Sequence, residues 1–192
     1  MGLGAPTTIL GFDVETHDYL TIPRTTRTGP FHWFTRTPIA QIKHARLVEL
    51  AWAVGPVAPG ASVTMKSKRI IPDQWEIKKG YDYHRISTAE ARLGEPLEDV
   101  LREFMNDVRN ACGQGGRVCA HNFEFDAGII FEELGRSCLD DLQKEWVQIA
   151  GAFGYCTMNP GVGRWILQCL GCAIAHDKAN HAKGLPWLLK TL

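Results

Sequence analysis

Two acidic residues near the N-terminus, Asp13 and Glu15, are spaced so that they could act on one ligand. They follow a short β-prone apolar run, residues 7–11. Because alternate side chains of a strand point to the same side, a strand here places Asp13 and Glu15 on one face and Val14 on the other. Two carboxylates this close repel each other, and a divalent cation between them removes the repulsion. The alternative is a pair of ordinary surface acids at a strand end.

A third acidic residue, Asp126, lies at the predicted start of a helix. Residues 117–120 form a short predicted strand, and the segment from His121 to Asp126 follows it at once. Apolar residues then recur at helical spacing up to Gly135, the predicted end of the helix. The carboxyl ends of parallel strands in α/β proteins commonly hold ligands, which makes Asp126 a candidate site residue. Alternatively, Asp126 only complements the helix dipole.

The surrounding pattern predicts a mixed α/β domain that positions these acids. Residues 46–55 and 62–71 are predicted as strands joined by a short turn, which favours an antiparallel hairpin that the first strand joins. A capping-box sequence at Ser87 starts a short helix, and residues 97–108 carry an apolar stripe at helical spacing. Residues 139–152 predict a further helix and residues 155–158 a last strand. Two more helices are predicted at 164–175 and 185–192.

The order and spacing of these segments resemble the DEDD 3′→5′ exonuclease superfamily, the ribonuclease-H-like family of proofreading exonucleases and ribonuclease T. A strand ending in F-D-V-E-T and a later H-N-x-x-F-D match the first and second motifs. Between them, Ile71-Pro72, His84 to Ser87 and Gly94 to Leu97 match further family positions, with Arg85 where the family usually has glycine. The resemblance implies a five-stranded mixed sheet, three antiparallel strands and then two parallel ones, flanked by helices.

This resemblance also implies a set of site residues. Asp13, Glu15 and Asp126 correspond to three of the four carboxylates that hold two Mg²⁺ or Mn²⁺ ions for phosphodiester hydrolysis. Thr16, His17 and Asn122 correspond to positions beside the terminal nucleotide. The implied partner is the 3′ end of a single-stranded nucleic acid, and neither DNA nor RNA is favoured. Family members are often dimers, so a homodimer or a larger assembly is also considered.

The third family motif, His-x4-Asp, supplies the fourth carboxylate and the general base, and it is not found in the 192 residues. His181 stands five residues after His176, where the motif requires Asp, so the general base stays unassigned. We therefore expect residues 1–192 to form a single exonuclease-like domain without its motif-bearing C-terminal helix. Either the chain is a metal-dependent 3′→5′ exonuclease whose last motif lies beyond Leu192, or it is a catalytically inactive pseudo-exonuclease that binds nucleic acid or serves as a structural subunit.

Composition narrows the class of protein but not the substrate. The formal net charge is zero, so any nucleic-acid site must be local rather than a property of the whole surface. No apolar run is long enough to span a membrane, and the N-terminus lacks a signal-peptide pattern. Six cysteines without a secretory signal favour reduced thiols, which predicts an intracellular protein of the cytoplasm or nucleus.

Two further segments are open to interpretation. Residues 17–45 are predicted as a long loop or two-strand excursion whose basic and aromatic residues either contact nucleic acid or fix the loop to the domain. Near the C-terminus, four potential zinc ligands lie close together in sequence, namely Cys169, Cys172, His176 and His181. Their spacing matches no zinc module, and packing positions on a helix explain them equally well.

Overall fold

The computed structural model describes residues 7–19, 39–58 and 61–157. They form a five-stranded mixed sheet with flanking helices. The elements in chain order are β1 (Thr8–Thr16), α1 (Ile39–His44), β2 (Leu47–Pro56), β3 (Thr64–Arg69), α2 (Tyr81–His84), α3 (Thr88–Ala91), α4 (Leu97–Gly113), β4 (Arg117–Ala120), α5 (Phe123–Arg136), α6 (Asp140–Phe153) and β5 (Gly154–Cys156).

The strand order is β3-β2-β1-β4-β5. The pairs β1–β2 and β2–β3 are antiparallel, whereas β1–β4 and β4–β5 are parallel. The short connection between β2 and β3 allows an antiparallel hairpin, and the parallel pair β4–β5 is joined by a crossover through α5 and α6. The predicted fold class, a ribonuclease-H-like sheet of three antiparallel strands and then two parallel ones, is confirmed.

Phe12 at the centre of β1 fixes which face of that strand is buried. Its ring lies 5.3 Å from that of Phe104 in α4, 5.9 Å from that of Phe123 in α5 and 5.7 Å from that of Trp146 in α6. A slip of one residue in the strand register would move this ring to the opposite face. The packing of one aromatic side chain therefore also fixes the direction of the acidic side chains that alternate with it.

The segment between β1 and β2 differs from the prediction. Residues 17–45 were expected to be irregular or extended, but the segment ends in the helix α1. A helix of six residues is too short to be stable alone, so tertiary contacts must hold it. Ile42 is buried and packs so closely on Gly128 of α5 that a Cβ there would lie 2.9 Å from Ile42 atoms. The periodicity of six residues was too short a signal to predict this helix.

A second difference concerns the end of α5, which continues past the predicted stop at Gly135 to Arg136. Several predicted features lie outside the described residues: segment 20–38 of the excursion, the helices at 164–175 and 185–192, and the four potential zinc ligands Cys169, Cys172, His176 and His181. Within the described ranges, no helix is both long and apolar enough to cross a membrane.

Candidate active site

Asp13 and Glu15 lie half-buried near the carboxyl end of the central strand β1, and Val14 between them is buried. Their alternation is as the sequence predicted. Glu15 is directly opposite Glu49 of β2, and the strand register shifts immediately after Glu15, so that Thr16 pairs with Leu47. Such a bulge bends the strand locally and redirects the side chains next to it. The carboxyl end of β1 is thus an irregular edge that carries several acids.

The environment of these two carboxyl groups opposes negative charge. Burial raises the pKa of Asp13, and the charge of Glu49 raises it further, whereas a hydrogen bond from the Val14 backbone acts in the opposite direction. Burial, then the charge of Asp13 and then that of Glu49 raise the pKa of Glu15 to about 7. A bound cation would reverse this preference, because it favours the ionised form of each group.

Asp126 lies in the first turn of α5, and its side chain is buried. It is 3% exposed, and its backbone N–H donates to the Asn122 carbonyl at 3.1 Å. Burial raises the pKa of Asp126 well above its ordinary value, and the charges of Asp13 and then Glu15 raise it further. An acid that only complements a helix dipole would be exposed, as Asp99 is in the first turn of α4. The buried Asp126 instead lies within electrostatic range of Asp13 and Glu15.

Two buried oxygen atoms at this place lack a hydrogen-bond partner among the described residues, Oδ2 of Asp126 and Oδ1 of Asn122. A buried acceptor without a partner is costly, so each of these atoms is expected to contact an ordered water or a bound ligand. Carboxylate and amide oxygens are the ligands that Mg²⁺ and Mn²⁺ prefer. The donor set of Asp13, Glu15, Asp126 and Asn122 fits a hard divalent cation by its chemistry, although the ligand atoms of the three acids are not all within 4.8 Å of one another.

Glu133 fixes α5, and hence Asp126, against the sheet. Its Oε1 accepts hydrogen bonds from Arg46 Nε at 3.0 Å and from the Leu47 backbone N–H at 2.9 Å, and Arg136 Nη1 lies 3.1 Å away. Glu133 is 1% exposed, so these charged and polar partners are required to compensate its burial. The helix that carries Asp126 is thus attached at its other end to the start of β2.

Thr16 and His17, predicted beside the terminal nucleotide, lie in different environments. Thr16 is half-buried at the end of β1, next to Glu15. His17 is 6% exposed, its N–H donates to the Arg46 carbonyl at 3.0 Å, and its Nδ1 accepts from the Arg46 N–H at 3.0 Å. Burial, and then the charge of His44, lower the pKa of His17 to about 4. His17 is therefore a neutral side chain held against β2.

His17, Asp18 and His44 form a second cluster that the sequence did not predict. Their potential ligand atoms all lie within 4.8 Å of one another, a spacing that could hold a metal ion. However, the Arg46 N–H already occupies the Nδ1 lone pair of His17, so the proton of this neutral ring lies on Nε2. His44 Nε2 lies 3.2 Å from Asp18 Oδ2. We interpret the cluster as a hydrogen-bonded contact that holds α1 to the end of β1.

A surface of three tyrosines, of which Tyr81 and Tyr83 are exposed and Tyr19 is half-buried, lies beside the end of β1. We call it the tyrosine surface; it consists of Tyr19, Tyr81 and Tyr83. Tyr83 is 70% exposed and Tyr81 44%, and the rings of Tyr19 and Tyr83 are 5.3 Å apart. Lys79 Nζ lies 5.3 Å from the Tyr19 ring, and the Arg85 guanidinium lies 5.7 Å from the Tyr81 ring. Exposed rings with cations above them can stack nucleobases and attract phosphates.

Backbone contacts hold the tyrosine surface rigidly next to the acids. The His17 carbonyl accepts from the Lys78 N–H at 2.7 Å, and the Thr16 carbonyl lies 3.2 Å from His84 Nε2. At Gly80 the two segments touch so closely that a Cβ would lie 1.9 Å from the Thr16 carbonyl oxygen. Only glycine fits there, so the residue directly after Glu15 and the start of α2 are in contact.

Comparison of the sequence with known proteins identifies no relative: no family model matches, and no curated protein sequence matches. Comparison of the structure with solved structures finds similar proteins. A product-bound structure of exonuclease I superimposes with a TM-score of 0.59 at 13% identity over 91% of this chain. The chain has the fold of exonuclease I. The fold that the sequence resemblance implies is thereby confirmed at the level of structure.

Two other exonuclease I structures match in the same way. The zinc-bound form of the E. coli exonuclease I–single-stranded DNA complex gives a TM-score of 0.59 at 12% identity over 83% of this chain. The complex of exonuclease I with the SSB C-terminal peptide gives 0.59 at 12% identity over 91%. This chain spans 35%, 30% and 33% of the three exonuclease I chains, respectively. At this identity the comparison establishes the shared fold, and the chemistry must be argued from the side chains.

Proposed function

We propose that this chain is a metal-dependent 3′→5′ exonuclease that hydrolyses phosphodiester bonds at the 3′ end of a single-stranded nucleic acid. The observation that carries the proposal is the placement of Asp13, Glu15 and Asp126, from two separate elements, within electrostatic range of one another, with the buried Oδ2 of Asp126 lacking a hydrogen-bond partner among the described residues. Structures that bury like charges together without a partner are unstable, so a cationic ligand explains the arrangement best.

Mg²⁺ or Mn²⁺ would be held by Asp13, Glu15 and Asp126, with the buried Asn122 Oδ1 beside them. Two such ions would supply an activated water and stabilisation of the leaving 3′-oxygen. The structure of the exonuclease I–single-stranded DNA complex with zinc supports divalent-metal chemistry on this fold.

The protein's own residues would orient the substrate end. Thr16 lies beside Glu15, where its hydroxyl can hydrogen-bond a sugar or phosphate oxygen of the terminal nucleotide. Asn122 Oδ1, a buried acceptor without a partner among the described residues, can accept a hydrogen bond from a terminal hydroxyl group. His17 would have a positioning role. Its backbone carbonyl accepts a hydrogen bond from the Lys78 N–H and so fixes the segment that carries the tyrosine surface. The general base stays unassigned.

The tyrosine surface supports a single strand as substrate. Unpaired bases can stack on exposed aromatic rings regardless of sequence, whereas the bases of a duplex are already stacked on each other. Lys79 and Arg85 provide local positive charge on a chain of zero formal net charge. The surface lies next to the residue that follows Glu15, so a strand bound there would have one end near the acids.

A degradation assay tests this function. A single-stranded oligonucleotide labelled at its 5′ end is incubated with the protein and Mg²⁺ or Mn²⁺. We expect a ladder of products shortened from the 3′ end, absent in EDTA and reduced by about 10²-fold or more in Asp13→Asn, since a metal ligand supports several kcal/mol of transition-state stabilisation. Asp99→Asn, an exposed acid of the same type, is the matched control.

Products that carry the 5′ label as single nucleotides, or cleavage that persists in EDTA, would contradict the proposal. A strand that is bound but never shortened, with Mn²⁺ present, would favour the pseudo-exonuclease instead.

A further inference from the structure

Glu49 on β2 faces the candidate site, although neither the sequence motifs nor the resemblance include it. In the antiparallel pairing of β1 and β2 it is directly opposite Glu15. Side chains of directly opposite residues lie on the same face of the sheet, with Cβ atoms about 4.5–5.5 Å apart. The charge of Glu49 also acts on Asp13, so its carboxyl group lies within range of both acids of β1.

Like charges directly opposite each other in a sheet are destabilising, so this pair requires an explanation. Partial compensation comes from β3, because Ser67 Oγ donates to Glu49 Oε1 at 3.0 Å and Arg69 Nε lies 3.7 Å from the same atom. Both contacts involve Oε1, and among the described residues Oε2 of Glu49 makes no hydrogen bond. The contacts to β3 therefore hold the side chain in place and leave one oxygen for another ligand.

The bulge at this position gives a geometric reason for the arrangement. Glu15 pairs with Glu49 and Thr16 with Leu47, so Val48 is the extra residue on β2. The Val48 carbonyl accepts from the Ile70 N–H at 2.8 Å, which fixes the bulged segment to the residue that follows β3. Bulges beside functional sites commonly redirect a neighbouring side chain, and Glu49 is the residue next to this one.

We propose that Glu49 is an additional carboxylate of the candidate site and binds a divalent cation together with Glu15. This inference rests on the proposed function, because it assumes that the site holds such ions. The opposing pair of glutamates is then repulsive only while the ions are absent.

The competing explanation is that Glu49 serves only to connect β2 with β3 through Ser67 and Arg69. The two explanations predict different effects of Glu49→Gln on Mn²⁺ binding, because the variant keeps the size of the side chain and an oxygen acceptor for Ser67 but removes the charge. In EDTA the variant loses the repulsion from the acids of β1 and the contact to Arg69 under either explanation. If Glu49 binds a cation, the variant also loses a ligand for Mn²⁺, whereas if Glu49 is only structural, its affinity for Mn²⁺ equals that of the wild type.

Calorimetric titration with Mn²⁺ and thermal melting in EDTA decide between them. For Glu49→Gln we expect Mn²⁺ affinity to fall by about 10-fold or more, the effect of removing a supporting group at a metal site, and the melting temperature in EDTA to rise. Ser67→Ala, which removes the structural hydrogen bond without changing a charge, is the matched control and should leave Mn²⁺ affinity unchanged. Unchanged Mn²⁺ affinity in Glu49→Gln would overturn the inference, whatever its melting temperature in EDTA.

Asp13→Asn separates this inference from the proposed function. If the wild type binds Mn²⁺, Asp13→Asn does not, and Glu49→Gln binds as well as the wild type, then the site is a metal site and only the role of Glu49 is wrong. If the wild type shows no saturable binding of Mn²⁺, both the inference and the proposed metal site are wrong.

Discussion

Asp126 at the start of α5 lies within electrostatic range of Asp13 at the end of β1, and the negative charge of Asp13 raises the pKa of the buried Asp126 carboxyl group. The two residues are brought together by separate structural causes. Packing of Phe12 fixes the direction of Asp13, and the contacts of Glu133 hold α5 against β2. The site thus depends on the core and on a buried ion pair, in addition to the acids themselves.

Replacing Asp126 by asparagine should stabilise the metal-free protein and remove its response to metal. The substitution eliminates a buried charge without changing the volume of the side chain, so the free energy of unfolding in EDTA should rise by about 1–3 kcal/mol. At a Mg²⁺ concentration 100 times the dissociation constant, the free energy of unfolding of the wild type should rise by about 2.7 kcal/mol. That of Asp126→Asn should change little. Thermal melting with and without Mg²⁺ measures both effects.

Asp99→Asn is the control for this experiment, since it makes the same change at an exposed first-turn position of α4 and should alter stability by less than about 0.5 kcal/mol. Loss of stability in Asp126→Asn under EDTA would show that Asp126 acts as an ordinary structural acid.

The pKa of Glu15 predicts how stability depends on pH. Its pKa is about 7 in the folded protein and 4.5 ordinarily, so between these values the folded state binds more protons than the unfolded state. The stability that protonated Glu15 contributes is therefore fully present below about pH 4.5 and is lost as pH rises through about 7. Over this range Glu15 lowers the free energy of unfolding as pH rises. His17, whose pKa is lowered from 6.5 to about 4, has the opposite effect, because it lowers the free energy of unfolding as pH falls through this range.

A comparison of two proteins isolates the effect of Glu15 from that of His17. In EDTA, the stability of Glu15→Gln minus that of the wild type should increase from pH 4.5 to 7 and then level off. Denaturant unfolding at a series of pH values measures this difference, and a difference that stays constant with pH would contradict the raised pKa. Adding Mg²⁺ should reduce the difference at pH 7, because a bound ion stabilises the ionised Glu15.

The strands and the acids were predictable because they depend on local sequence. Alternation at Asp13 and Glu15, the four-residue strand before His121 and the capping box at Ser87 are short-range signals, and the structure contains all of them. The capping box forms in both directions, with Ser87 Oγ accepting from the Glu90 N–H and a Glu90 carboxylate oxygen accepting from the Ser87 N–H.

Other parts of the site were not predictable, because they depend on contacts between distant segments. Glu49 becomes a site residue only through its register with Glu15, and no spacing in the sequence indicates that register. His44 meets Asp18 only because α1 folds back against the end of β1. A sequence pattern reports which face of an element is apolar, and it does not report which residues of two elements become neighbours.

Arg85 is strained, and replacing it by glycine should relieve the strain. Its φ of 62° is in the left-handed region, where glycine has no penalty and other residues pay about 1 kcal/mol. Glycine is the usual residue at the corresponding position of the family that the sequence resembles. We expect Arg85→Gly to stabilise the protein by up to about 1 kcal/mol while weakening the binding of single strands, since the cation near Tyr81 is lost. Denaturant unfolding and fluorescence anisotropy measure the two effects, and a loss of stability would argue against strain.

Tyr83→Ala tests whether the tyrosine surface binds the strand. Stacking on an aromatic side chain contributes about 1–3 kcal/mol per base, so affinity for a labelled oligonucleotide should fall by about 5-fold to 100-fold. Leu93→Ala is the control, because Leu93 is 87% exposed and lies outside the tyrosine surface. Equal affinity of the wild type and both variants would place the strand elsewhere on the molecule.

Mn²⁺-soaked crystals measured for anomalous scattering would show most directly whether divalent cations bind at the carboxylates of β1 and α5. We expect anomalous peaks within ligand distance of Asp13, Glu15 and Asp126, about 2.0–2.6 Å for hard cations with oxygen ligands. Peaks at His17, Asp18 and His44, together with none at the three carboxylates, would contradict this expectation.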